Sequence, residues 1–193
     1  MTEQPVAVPV RVTLREKQRR RRIRRGLAYT GVAVAWALSI IVSTVVSLPE
    51  PAHTAVLFVH LGSLIVGFGA VLMIDWHALL WATEWSSVRE LRQADRTLVL
   101  PVWIGLAGLL TSGALLEPDL ESPMTQVKLA AVLVLSLNGV ALTRWTFELA
   151  RLPARARFRS LAPRVRAAFI ASAIVSQLAW WLAVLIGMLN STS

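Results

Sequence analysis

The sequence predicts an all-α integral membrane protein with five transmembrane helices, of which the second to fifth form an antiparallel four-helix bundle. Of its 193 residues, 55% are hydrophobic, more than the ~45–50% of an ordinary soluble domain. Its mean hydropathy is +0.60. It contains apolar runs of about 20 residues, the length that crosses a bilayer. Arginines gather in alternate connectors, as in cytoplasmic loops.

These patterns divide the chain into a basic cytoplasmic tail (residues 1–26), a transmembrane domain (27–190) and a short outer tail (191–193). The five predicted spans are residues 27–48, 54–76, 98–116, 123–147 and 167–189. The outer connectors carry only acidic charge, so we expect the N-terminus inside and the C-terminus outside. Arginine far outnumbers lysine, which is typical of a GC-rich bacterial genome and predicts the bacterial cytoplasmic (inner) membrane.

The formal net charge of +9 does not indicate nucleic acid as a partner. The basic residues flank apolar spans, where they determine orientation, and the lipid bilayer is the expected partner. The chain has no cysteine, which excludes disulfides, thiolate metal sites and covalent c-type haem attachment. Any metal would have to be held by histidine, carboxylate or methionine.

The second span carries small and polar residues at steps of three and four, so that they share one face of a helix. They are His60, Ser63, Gly67, Ala70 and Ile74. We expect this face to contact other helices and not lipid.

Between the second and third spans, residues 76–96 combine tryptophans and arginines at helical spacing, which predicts an amphipathic helix lying in the membrane interface. Asp95 or Thr97 would then cap the third helix, with Pro101 near its first turn. Asp75 lies at the cytoplasmic interface, where we expect it to pair with Arg96 or Arg144.

The fourth helix is expected to begin at Ser122-Pro123, an N-cap residue followed by a proline at the first helical position. An internal repeat of the two hairpins is weakly indicated by GAVL at Gly69 and GVAL at Gly139.

Three polar residues inside the spans are candidates for chemistry. His60 and Lys128 are ionisable groups at depth, which are functional candidates by default, and counting from the outer boundary puts them at a common depth. Asn138 lies about three turns deeper than Lys128, and its amide needs a partner such as Ser176 or Gln177. The structural alternatives are an interhelical hydrogen bond for His60 and a side chain reaching the headgroups for Lys128.

These residues carry a resemblance to a known family. His60 followed by Gly67-Phe68-Gly69-Ala70, and Lys128-Leu129 opening KLAAVLVLSLNGVALTR, resemble the small bacterial membrane proteins of the copper-resistance D and membrane protoporphyrinogen-oxidase types. The resemblance implies a helical bundle that handles haem, porphyrin or copper, with His60 as the metal ligand. It implies cofactor binding by His60 and Lys128, and Asn138 stands where a second histidine could.

The sequence leaves three functions open. The first is a non-catalytic accessory or scaffold protein that binds a membrane-protein partner or a second copy of itself. The second is a haem- or copper-binding redox protein using His60, and the third is a small transporter. Whether the protein is an enzyme stays open, although no nucleotide-binding glycine loop or paired carboxylates indicate hydrolase or kinase chemistry.

Overall fold

The computed structural model describes residues 10–190, and this part of the chain is all-helical. Its α-helices are α1 (Val10–Ser43), α2 (Glu50–Ala82), α3 (Val88–Leu115), α4 (Pro123–Arg151) and α5 (Pro163–Asn190), with a short 3-10 helix at Phe158–Ser160. All five α-helices contain stretches long and apolar enough to cross a membrane. The first nine residues of the predicted tail and the predicted outer tail, 191–193, lie outside the described residues.

The first helix is longer than the span predicted from hydropathy. It runs without interruption from the arginine-rich segment into the apolar segment and ends at Ser43, five residues before the predicted end of the span. The indole Nε1 of Trp36 donates to the backbone oxygen of Leu129 on α4 at 2.9 Å. At the same end of the molecule, the backbone N–H of Leu48 donates to the Glu117 carboxylate at 2.9 Å, which joins the two acidic connectors. The first helix therefore packs on α3 and α4.

The predicted interfacial helix at residues 76–96 is wrong. Helix α2 continues to Ala82 and α3 begins at Val88, so a tight turn separates them. Ser87 is the N-cap, and its backbone N–H and hydroxyl both donate to the Glu90 carboxylate, at 3.2 and 2.8 Å. Because of this local capping, α3 begins at Val88, ten residues before the start of the predicted third span. The turn itself requires the left-handed backbone of Glu84, whose φ is 66°.

The same turn changes two further assignments. Asp95 and Thr97 do not cap the third helix, and Pro101 lies inside α3 instead of in its first turn. The fourth helix, by contrast, begins at Pro123 with Ser122 as its N-cap, which confirms that prediction.

Helices α2 and α3 approach each other most closely through small residues. A Cβ on Gly67 would lie 3.2 Å from the Cα of Gly105, and a Cβ on Gly105 would lie 2.7 Å from the carbonyl oxygen of Ser63. One turn further along, Gly108 lies against the Ser63 side chain, and Gly113 lies against the His60 ring. The predicted face of α2 therefore contacts a helix, and it owes this close approach to the glycines of α3.

Helices α4 and α5 form a second hairpin. Asn138 on α4 contacts Ser172 on α5, and Lys128, near the start of α4, lies near Gly187, close to the end of α5. This reversed order along α5 makes the two helices antiparallel. Each hairpin packs within itself more extensively than it packs on the other.

The two hairpins meet in an aromatic contact. Phe68 of α2 stacks on Trp180 of α5, with ring centroids 5.3 Å apart and planes at 19°, and its edge contacts Trp181 at 5.1 Å. Phe68 and Trp180 belong to a core cluster that also contains Leu106 and Leu135. The cluster therefore draws on all four helices of the two hairpins.

A second, smaller core lies at the end of the molecule that carries the basic connectors. Trp81 is only 2% exposed, its Nε1 donates to the backbone oxygen of Ala156 at 2.8 Å, and its ring meets Phe158 edge-on at 5.2 Å. Arg159 lies 3.8 Å from Glu84 across the same contact. The connector after α4 is thus fixed to the turn after α2.

Candidate functional site

His60 connects α2 to α3. Its Nδ1 lies 2.9 Å from the Oγ of Ser112, and the Ser112 hydroxyl in turn donates to the backbone oxygen of Gly108. A serine hydroxyl has one hydrogen, so this network assigns the Nδ1–H of a neutral His60 as donor to Ser112. The lone pair of the ring is then on Nε2. The interhelical hydrogen bond that the sequence left open as an alternative is present.

Lys128 lies near the start of α4, at the same end of the bundle as His60. The Nζ of Lys128 is near α5, since a Cβ on Gly187 would lie 3.7 Å from it. The common depth predicted for the two side chains agrees with this arrangement. Together they place a cationic group and an imidazole at the end of the bundle that carries the acidic connectors.

Asn138 does not join this pair. Its Nδ2 donates to the backbone oxygen of Ser172 at 2.9 Å, and the Ser172 hydroxyl donates to its Oδ1 at 2.7 Å. The sequence predicted the correct partner helix but the wrong residues, because Ser176 and Gln177 lie one turn further along α5. The amide is paired with protein on both its oxygen and its nitrogen, which is the arrangement of a structural contact between helices.

The expected pairing of Asp75 with Arg96 or Arg144 is wrong. The Oδ2 of Asp75 accepts a hydrogen bond from Nε2 of Gln177 at 2.6 Å, and Oε1 of Gln177 accepts one from Nε1 of Trp181 at 3.1 Å. Asp75 lies on the face of α2 that meets α5, whereas both arginines are exposed. A carboxylate on that face is closer to a neutral amide than to any basic connector.

Asp75 and Gln177 line a cavity of about 460 Å³ between the two hairpins. The cavity extends from the aromatic contact at Trp180 to the second core at Trp81 and Phe158. Its walls are mostly apolar and include four tryptophans. Its volume falls in the ~300–1,000 Å³ range of small-molecule sites.

A second carboxylate lines the cavity from α3. Asp95 is half-buried and lines the cavity together with Thr146 of α4. Two ion pairs described within residues 10–190 are Arg20 with Glu16 and Arg159 with Glu84. Neither ion pair involves Asp75 or Asp95, so both carboxylates lie in an apolar wall without a directly bound cation.

Sequence reasoning missed this cavity because it explained each carboxylate locally. Asp75 was assigned to an interfacial ion pair and Asp95 to a helix cap. The signal that points to the site is the general rule that an ionisable residue continuous with an apolar run marks function. That rule was applied to His60 and Lys128 but not to Asp75.

The described residues contain no cluster of metal-ligating side chains. No group of three or more histidine or acidic side chains within 10–190 is placed to hold a metal ion. His60 does not line the cavity, and its Nδ1 is already bonded to Ser112. Nε2 is therefore the ring nitrogen of His60 that is left to bind a haem iron or a copper ion, and the cofactor hypothesis stays a prediction.

Comparison with protein-family models, curated proteins and solved structures returned no match to this chain. The resemblance to the copper-resistance D and protoporphyrinogen-oxidase types stays a hypothesis, and the functional argument depends on the geometry of the site.

Proposed function

We propose that this protein is a non-catalytic binding protein of the bacterial inner membrane that holds a hydrophobic small molecule between its two helical hairpins. The observation that carries the proposal is the cavity of about 460 Å³ between α2–α3 and α4–α5. Its volume lies in the range of small-molecule sites and its walls are mostly apolar, which supports a hydrophobic ligand.

The proposal includes an antiparallel four-helix bundle of α2–α5 that crosses the membrane, with α1 packed outside it. Two contacts support the N-inside, C-outside orientation. Arg159 near Glu84 brings the basic connector to the α2–α3 turn, and Leu48 with Glu117 brings the two acidic connectors together at the opposite end. Arginine-rich segments remain on the cytoplasmic side of a membrane.

Reporter fusions test the orientation. Alkaline phosphatase fused after residue 190 is expected to be active because it is exported, and green fluorescent protein inserted in the connector after α4 is expected to fluoresce. Active phosphatase in the connector after α4 would contradict the orientation.

The binding role is tested with the neutral fluorophore N-phenyl-1-naphthylamine, added to protein purified in a mild detergent. Energy transfer from the tryptophans of the cavity to the fluorophore is expected to saturate at one molecule per chain. Gly139 lines the cavity, so Gly139→Leu should fill part of it and weaken binding by about tenfold or more.

Gly69→Leu is the matched control, since a Cβ at Gly69 meets nothing within 4 Å and the residue does not line the cavity. It should bind the fluorophore like the wild type. Binding that never saturates, or that is equal in both variants, would overturn the proposed function.

The other hypotheses have separate readouts. A Soret band in the visible spectrum, lost in His60→Ala, would favour the haem protein. Stable capture of a membrane-protein partner or a second copy, without fluorophore binding, would favour the scaffold. Transport has little support, because each of the five described helices is continuous and transporter sites are commonly built on broken helices.

A further inference from the structure

The cavity between the hairpins has a charge opposite to that of the whole protein. The chain has 20 lysine and arginine residues against 11 acidic residues. Yet the charged residues that line the cavity are Asp75 and Asp95, and its described lining contains no lysine, arginine or histidine. The charged groups that a ligand in this cavity would meet are therefore acidic.

The two carboxylates approach the cavity from different helices. Asp75 belongs to α2, and its Oδ2 is bonded to Gln177, whereas its Oδ1 makes no hydrogen bond with any described residue. Asp95 belongs to α3 and lines the cavity beside Thr146 of α4. An ionised carboxylate in an apolar wall is stabilised by a cation beside it, and without one it is stabilised by binding a proton.

The other residues that line the cavity favour a ligand with a flat or hydrophobic part. The indole rings of Trp81, Trp103, Trp145 and Trp180 line the cavity, together with Phe158 and Phe169. Aromatic faces attract cations as well as apolar groups, most strongly in the case of tryptophan. A fatty acid or another anion would bring like charges together and would leave both carboxylates uncompensated.

We propose that the ligand is a cationic amphiphile, a hydrophobic or aromatic molecule with one positive group, bound with that group near Asp75 and Asp95. This inference rests on the proposed binding function and adds the ligand class to it. The apolar part would lie against Trp103 and Trp180, towards the aromatic contact at Phe68, and the positive group would lie beside the two carboxylates.

The test uses two probes of nearly equal size and shape but opposite charge, tetraphenylphosphonium and tetraphenylborate. Each is titrated against full-length protein that has been loaded with N-phenyl-1-naphthylamine, and displacement of the fluorophore is measured. The wild type is expected to bind the cation at least about tenfold more tightly than the anion. Equal affinities, or tighter binding of the anion, would overturn the inference.

Variants then assign the preference to the carboxylates. The ratio of the two dissociation constants should fall by about tenfold in Asp75→Asn and in Asp95→Asn. Glu50→Gln removes an equal charge from the exposed start of α2 and should leave the ratio unchanged. A ratio that falls equally in Glu50→Gln would mean that overall charge, and not the cavity, determines the preference.

The two proposals fail in different ways. If the wild type never binds the neutral fluorophore saturably, the proposed function is wrong and the ligand class is wrong with it. If the fluorophore binds and Gly139→Leu weakens its binding, but the cation is not preferred over the anion, only the ligand class is wrong.

Discussion

The Nδ1 of His60 on α2 lies 2.9 Å from the Oγ of Ser112 on α3, and Ser112 is only 3% exposed. The hydrogen bond lies at one end of a line of small residues along which the two helices approach closely. His60 therefore serves as a contact between helices in this structure, and its Nε2 keeps the lone pair of a neutral ring.

Ser112→Ala should destabilise the protein by about 0.5–2 kcal/mol, because it removes the acceptor of the His60 Nδ1–H. The free energy of unfolding, measured by titration with sodium dodecyl sulfate, checks this value. Thr111→Ala is the matched control, since the exposed Thr111 hydroxyl bonds only to backbone oxygens of its own helix. Equal stability of the two variants would contradict the interhelical role of Ser112.

Gly105→Ala should destabilise the α2–α3 hairpin by about 1–3 kcal/mol or more, because the added Cβ overlaps the backbone of Gly67 and Ser63. Backbone atoms cannot move aside as a flexible side chain can. The melting temperature in detergent is the measurement. Gly62→Ala, where a Cβ meets nothing within 4 Å, should keep the melting temperature of the wild type or raise it slightly. A stable Gly105→Ala would mean that the two helices lie further apart.

Asn138→Leu should destabilise the α4–α5 hairpin by about 1–3 kcal/mol, because it removes both hydrogen bonds to Ser172. Unfolding by sodium dodecyl sulfate again gives the value. Thr143→Val on the same helix is the comparison, since the Thr143 hydroxyl donates to the backbone oxygen of Val140 within α4. If Asn138 bound a cofactor instead, Asn138→Leu would lose that ligand without this loss of stability.

Trp81→Phe should release the connector after α4, because it removes the hydrogen bond from the indole Nε1 to Ala156. Limited proteolysis with trypsin measures the effect through cleavage at Arg155 and Arg157, which is expected to accelerate several-fold. Trp85 is 85% exposed, so Trp85→Phe should be cleaved at the rate of the wild type. Unchanged cleavage of Trp81→Phe would show that other contacts hold the connector.

Hydropathy and small-residue spacing were enough to predict five apolar helices and the face of α2 that contacts α3. Both depend on composition within one segment, and the sequence displays that composition directly. The start of α4 at Pro123 was predictable for the same reason, because Ser122-Pro123 is a local signal.

The turn after α2 and the cavity were not predictable in this way. Trp81 and Trp85 follow the same helical spacing in the sequence, yet one is buried against the connector after α4 and the other is exposed. The partner of Asp75 is 102 residues away in the chain. Such pairings depend on which helix faces align, and a single sequence does not show that alignment.

The helices pack tightly within each hairpin and more loosely between the hairpins, with the cavity in the looser zone. If a molecule fills the cavity, it adds to the aromatic contact through which the two hairpins meet. Removing that molecule should therefore weaken the contact between the hairpins before it weakens the packing within either hairpin. Unfolding of the emptied protein is expected to proceed in two stages, separation of the hairpins and then melting of each one, whereas the loaded protein should unfold in one.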